Sequence, residues 1–258
     1  MVEIINVIHP GVVYLGKYVK GSQHEVPESD IKENLIVKVI YRGISFEPYG
    51  EDVHRYLASK DMAPKYYFSF HIDDHRFPKD AKVLEYHHLM EYLPPPSHDS
   101  VSAGWISLLD LEEKYRDVAS HAKEEIKAAL YDIINVLQER NFVHGDLRPN
   151  NLLISIKCTT NSCSIQSRPN SVPPLPYLKV IDFDWAGLAG VVEYPPHRNP
   201  DVQWPGSSGK PIMDTHDKIM IDSWLSKWSP IIVPDVEEEK EDRKDDDAPF
   251  LRISHRYM

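Results

Sequence analysis

Two acidic residues and an amide stand at positions suited to chemistry on a phosphate. Asp146 and Asn151 lie five residues apart in Val143-His144-Gly145-Asp146-Leu147-Arg148-Pro149-Asn150-Asn151, directly after a helical stretch. Asp182 closes the apolar run Leu178-Lys179-Val180-Ile181 and is followed by Phe183 and Asp184. Phosphoryl transfer from ATP calls for an acid that orients the attacking hydroxyl, and for an amide and a carboxylate that hold Mg²⁺. Hard oxygen donors of this kind suit Mg²⁺. Taken alone, Asp146 reads as a loop acid capping a turn. Arg148, Pro149, Asn151 and the apolar Leu152-Leu153-Ile154 that follows shift the reading to an active loop. Lys38 sits inside the apolar strand Ile36-Val37-Lys38-Val39-Ile40. A buried ammonium without a partner is costly, so this lysine needs a carboxylate or a phosphate beside it.

These segments resemble the catalytic loop (His-Arg-Asp-x-x-x-x-Asn) and the metal motif (Asp-Phe-Gly) of the protein kinase superfamily. In detail they resemble a divergent kinase-like group found in fungi and among crinkler-type effectors. Tyr49-Gly50, Ala63-Pro64, Glu193-Tyr194-Pro195 and His216-Asp217 also fit that group. The resemblance covers roughly residues 5–228 and is strongest over 143–187. It implies that Asp146 orients the proton of the attacking hydroxyl and that Arg148 steadies the transferred phosphate. Asn151 and Asp182 would hold Mg²⁺. Lys38 would contact the α and β phosphates and pair with a helix glutamate. Chemistry favours Glu51 as that partner, the spacing back from Ala63-Pro64 favours His54, and Glu47 comes third. Glu91, Tyr92 and Leu93 resemble the hinge that receives adenine through backbone groups. Asp217 either braces the catalytic loop or is an acid favoured by a helix dipole.

The sequence departs from the family at three places. Gly145 replaces the usual arginine, a cation often used to read phosphorylation of an activation loop. Asp184 replaces the glycine of Asp-Phe-Gly. No Gly-x-Gly-x-x-Gly occurs, and Gly11 and Gly16 are the only glycines in the strand pair before Lys38.

The surrounding elements must place these groups in one cleft. Residues 5–20 read as two short strands or a hairpin, 21–33 as a loop, and 35–40 as a strand. Residues 49–60 have helical spacing (Val53, Tyr56, Leu57) and stop before Ala63-Pro64. Residues 66–72 and 81–93 read as strands, and Pro94-Pro95-Pro96 breaks regular structure. Residues 105–115 form a short helix. Residues 120–140 form the clearest helix, with Ile126, Ala129, Leu130, Ile133, Ile134 and Leu137 on one face. Two apolar strands, 152–156 and 178–182, flank a Ser/Thr/Asn/Pro-rich segment, 157–177, that reads as a flexible insertion. Residues 215–228 are a last helix. Strands first and helices after, with a Pro-rich joint near residues 93–97, predict an α+β chain of two lobes. The resemblance implies that this is a bilobal kinase-like fold with a shortened second lobe. The divisions are an N-lobe at 1–93, a C-lobe at 94–228 and an acidic flexible tail at 229–258.

Composition sets further bounds. The 258 residues are 41% hydrophobic and 27% charged, ordinary for a soluble globular protein. The net charge of −11 argues against a nucleic-acid partner. Much of that charge is local, since residues 235–247 hold nine acids and three bases. No apolar run approaches the roughly 20 residues that span a bilayer, and no secretory signal is evident. An intracellular, cytoplasmic protein acting on ATP and a protein substrate is the expectation. Cys158 and Cys163 lie in a polar stretch and read as loop thiols rather than a disulfide or zinc site. Three functions remain open. One is an Mg²⁺-ATP phosphotransferase, most simply a protein serine/threonine kinase. The second is a pseudokinase binding module, which the missing glycine loop and Asp184 favour. The third is a small-molecule kinase resembling aminoglycoside or choline kinases, which the His-Gly-Asp start favours.

Overall fold

The computed structural model describes residues 2–9, 13–18, 34–42, 49–73, 84–97, 103–159 and 162–228. Gly11, Glu47, the 21–33 loop and the acidic tail lie outside them. The architecture is mixed α/β, with a strand-rich N-terminal part and helices later in the chain.

Five strands form an antiparallel sheet: β1 (Val2–His9), β2 (Val13–Tyr18), β3 (Asn34–Arg42), β4 (Tyr66–Asp73) and β5 (Leu84–Glu91), in the order β1-β2-β3-β5-β4. The period of two along a strand sorts β3 into two faces. Leu35, Val37 and Val39 are buried with Tyr67 and Leu89 in one apolar cluster. Ile36, Lys38 and Ile40 therefore share the opposite face. Helix α1 (Glu51–Ser59) begins on two acids, which suit the positive end of its dipole. It buries Val53, His54 and Leu57 and ends before Asp61, which takes a left-handed φ of 58°.

β6 (Ala103–Ser107) was not foreseen; it precedes α2 (Leu108–Lys114) and α3 (Arg116–His121). Ser107 Oγ caps α2 by accepting from the Asp110 amide at 2.9 Å. Helix α4 (Lys123–Gln138) buries every apolar residue that the 3.6 period put on its inner face. It ends in Asn141 at φ 53°, a conformation asparagine tolerates. β7 (Phe142–Val143), a 3₁₀ turn at Pro149–Asn151, β8 (Leu152–Cys158), β9 (Cys163–Ile165), β10 (Leu178–Val180), β11 (Gly187–Leu188) and α5 (His216–Lys227) complete the chain. β10, β8 and β6 make a second antiparallel sheet that β9 joins through β8, and β11 pairs with β7. One apolar cluster runs from Val53 and Leu57 of α1 through α4 to Ile221 and Leu225 of α5.

Two expectations are corrected. Residues 162–177 are not a loose spacer. β9 pairs with β8, the amides of Tyr177, Gln166 and Ser155 donate in turn to the carbonyls of Gln166, Ser155 and Tyr177, and Arg168 reaches Asp132 of α4 at 2.7 Å. Polar composition concealed this order because only a few apolar side chains, Ile165 and Leu175 among them, join the core and backbone bonds hold much of the rest. The two cysteines form a disulfide. Cys158 and Cys163 are cross-strand partners in the β8–β9 ladder, which places their side chains together. Thiol titration of unfolded, unreduced protein from an oxidising medium is expected to find no reactive thiol, and two after reduction. Two thiols before reduction would contradict the pairing.

Candidate active site

The loop after β7 is built by its own backbone. The amides of His144 and Gly145 donate to the two oxygens of the Asp217 carboxylate at 2.7 and 2.9 Å. Asp217 lies in the first turn of α5 and is buried. Gly145 has φ 80°, and a Cβ there would lie 2.7 Å from Ile212 Cδ1 and 3.2 Å from Trp185 Cβ. The conformation and the crowding both demand glycine, which accounts for the absence of arginine. His144 is fully buried. Its Nδ1 accepts from the Asp146 amide at 3.3 Å, so its Nε2 carries the proton given to the Ile181 carbonyl at 3.1 Å. One imidazole thus bridges the Asp146 loop and the Asp182 segment. The Ile181 amide returns a bond to the Asn151 carbonyl at 3.0 Å.

Asp146 accepts from Arg148 Nε at 2.5 Å and Nη2 at 2.8 Å, and from Asn151 Nδ2 at 3.0 Å. Burial raises its pKa from the ordinary carboxylate value, against the pull of Arg148. Arg148 also lies 5.2 Å from the ring of Trp204. Arg198 covers that ring and Tyr194 at 5.4 and 4.7 Å, and Trp185 sits 5.0 Å from Trp204. This cation–aromatic stack beside Asp146 escaped the sequence reading because its members are spread over residues 148–204 with no common spacing.

Lys38 is buried and paired with two carboxylates, Asp182 and, at 2.6 Å, Asp184 Oδ1. Among the described residues that buried Asp184 oxygen has no other partner, and its tie to Lys38 is an ion pair. Burial disfavours the ammonium, yet the two acids outweigh it and raise the lysine's pKa. Burial pushes Asp182 up, but Lys38 holds its carboxyl below the usual range. Asp184, buried and next to Asp182, is pushed up. Asp182 adopts a left-handed φ of 69°, a strained conformation of the kind that collects at functional sites.

The expected Lys38–Glu51 pair is not formed. Glu51 accepts from Arg55 Nε at 2.8 Å, Tyr66 Oη at 2.9 Å and Ser69 Oγ at 3.0 Å. His54 bonds Tyr49 Oη at 2.6 Å and the Pro64 carbonyl at 2.8 Å, and stacks on Phe183 at 4.3 Å.

Lys38, Asn151, Asp182 and Asp184 line one cavity of about 550 Å³, within the size range of small-molecule sites. Its apolar walls include Ile36, Met90 and Leu153, and its far side is the strand end Glu91-Tyr92-Leu93. The Leu93 amide has no partner among the described residues. Glu91 gives its amide to the Lys65 carbonyl, and its carboxylate accepts from the Lys65 amide and lies 3.4 Å from Lys179. Its side chain is therefore turned to the back of this segment. The donor set fits Mg²⁺. The Asn151 nitrogen is used on Asp146 and no described donor reaches its amide oxygen. Lys38 takes one oxygen of Asp182, and the other accepts no described hydrogen bond. Among the described residues no three His, Cys, Asp or Glu side chains form a metal cluster.

No known family's sequence profile matches the chain. Part of it is similar to mitogen-activated protein kinase 3 of Arabidopsis thaliana, 29% identical over 134 residues. The match covers 46% of this chain and 36% of that protein. It hints at a relationship to protein kinases and carries nothing on a fungal or crinkler-type group. The strand-rich start and helical continuation are compatible with a kinase-like fold. Among the described residues no helix is long and apolar enough to cross a membrane.

Buried histidines give the site a pH signature. Burial lowers His54 to about 3, and His88 and His144 to about 4. The unfolded chain therefore binds protons below pH 6.5 that the folded chain refuses, and stability is lost as pH falls. Asp217, raised by burial to about 6, acts in the opposite sense between its unfolded value of 3.8 and 6. Asp146 and Asp184, also raised by burial, act in the same sense as Asp217, and the larger histidine shifts govern the window from pH 7 to 4.5. The denaturation midpoint is expected to fall from pH 7 to 4.5, and His54→Gln to flatten the fall. A midpoint independent of pH would contradict the neutral assignment.

Proposed function

We propose that the chain is an ATP-dependent phosphotransferase that moves the γ-phosphoryl group to a hydroxyl, as a serine/threonine protein kinase does. The observation that carries this reading is one cavity edged by Lys38, Asn151 and Asp182, with Asp146 bonded to Asn151. In the reading, Lys38 meets the α and β phosphates. The Leu93 amide and the backbone of Glu91 receive adenine. Asn151 and Asp182 hold Mg²⁺, which when bound neutralises charge on the phosphates. Asp146 orients the acceptor hydroxyl and takes its proton. Arg148, already on Asp146, offers a cation to the phosphoryl in transfer. The sheet through residue 93 and the helical part from 94 to 228 would be the two lobes. A protein acceptor is carried over from the name of the plant relative.

Nucleotide at about 100 times its dissociation constant stabilises by roughly 2.7 kcal/mol, a rise of about 5–10 °C in Tm for a domain of this size. Thermal unfolding with ATP is expected to show that rise only with Mg²⁺ and to lose most of it in Asp182→Asn. No Mg²⁺-dependent rise at millimolar ATP would overturn the reading and leave a binding module in its place.

A further inference from the structure

We propose that Asp184 is the residue that positions Lys38, in the role expected of a carboxylate on α1. The inference rests on the phosphotransferase reading and concerns how this chain holds its phosphate lysine.

A buried ammonium requires a carboxylate beside it. Helix α1 has none to give. Glu51 is engaged by Arg55, Tyr66 and Ser69, and no ion pair joins it to Lys38. His54 has both ring nitrogens engaged, by Tyr49 and by Pro64. The Tyr49 ring, 5.6 Å from Lys38 Nζ, is what the lysine meets on that side. Asp182 would divide its charge between Lys38 and the metal, one oxygen on the lysine and the other open to the ion. Asp184 gives the lysine a second carboxylate, outside the proposed Mg²⁺ ligands.

Local geometry provides the substitute. Phe183 is fully buried, 4.3 Å from the His54 ring and 6.1 Å from that of Tyr49. The residues either side of it, Asp182 and Asp184, both reach Lys38. The Gly50 amide fixes the same segment by donating to the Phe183 carbonyl at 2.9 Å. A Cβ on Gly50 would lie 2.5 Å from the Ala186 carbonyl oxygen, so glycine permits that close docking. The position of Lys38 is thus set by the segment that bears Asp182, and α1 contributes only packing.

A double-mutant cycle tests this in two states. In nucleotide-free protein, Lys38→Met and Asp184→Asn are expected to couple by at least tenfold in the unfolding equilibrium constant. Lys38→Met and Glu51→Gln are expected to couple by less than twofold. With Mg²⁺-ADP, Asp184→Asn should weaken binding about tenfold, Asp184→Glu should restore part of it, and Glu51→Gln should stay within twofold of wild type. The Asp184→Asn loss should vanish in the Lys38→Met background. If it persists there, Asp184 acts on the metal and not on Lys38, and the proposal fails. Coupling of Lys38 to Glu51 instead would also overturn it. Failure of wild type to bind Mg²⁺-ADP sinks the phosphotransferase reading and this role with it. Binding that needs Asp182 but is indifferent to Asp184→Asn sinks only this role.

Discussion

The structure turns on one buried ammonium. Lys38 lies in the middle of β3, where apolar neighbours on both sides deprive it of water. Desolvation of a charge costs several kcal/mol even after relaxation, so the fold must bring opposite charge to it. That charge comes from the segment after β10, more than a hundred residues away in sequence. Docking of this segment fixes Phe183 on His54 and Tyr49, draws Gly50 against Ala186, and carries Asp182 to the cavity edge. The N-terminal sheet, α1 and the Asp182 segment are thereby locked to one another by electrostatics and packing together.

A second anion organises the opposite wall. The Asp217 carboxylate takes two successive backbone amides and so fixes the turn that presents Asp146. His144 then ties that turn to Ile181, one residue before Asp182. The two walls meet through a neutral imidazole, and its hydrogen bonds require it to stay neutral. Acid that protonates it would remove an acceptor from the Asp146 amide and place a cation in a fully buried position. The chemistry of the site and the stability of the fold therefore depend on the same protonation states.

Much of the framework was legible in the sequence because it rests on periodicity. The alternation in β3 and the 3.6-residue stripe in α4 are local patterns that packing confirms. The loop from His144 to Asn151 was read through its resemblance to a kinase catalytic loop, and the structure adds its bonds from Asp146 to Arg148 and Asn151. What could not be read depends on contacts between distant segments. Spacing favours His54 and chemistry favours Glu51 as the partner of Lys38, and only tertiary structure shows both otherwise engaged. The signal for Asp184 was present as a second acid two residues beyond Asp182, but it registered only as a departure from glycine. The Cys158–Cys163 bridge needed the β8–β9 register, and the Arg148–Trp204–Arg198 stack needed the path of the chain from 185 to 204.

The most direct measurement is the rate of ADP formation from Mg²⁺-ATP with a mixed serine/threonine peptide acceptor, for wild type beside Asp146→Asn. A positioned acid or base contributes about 10²–10⁴-fold. The account predicts a fall of that size in kcat with nucleotide affinity retained. Equal rates in the two proteins would contradict it.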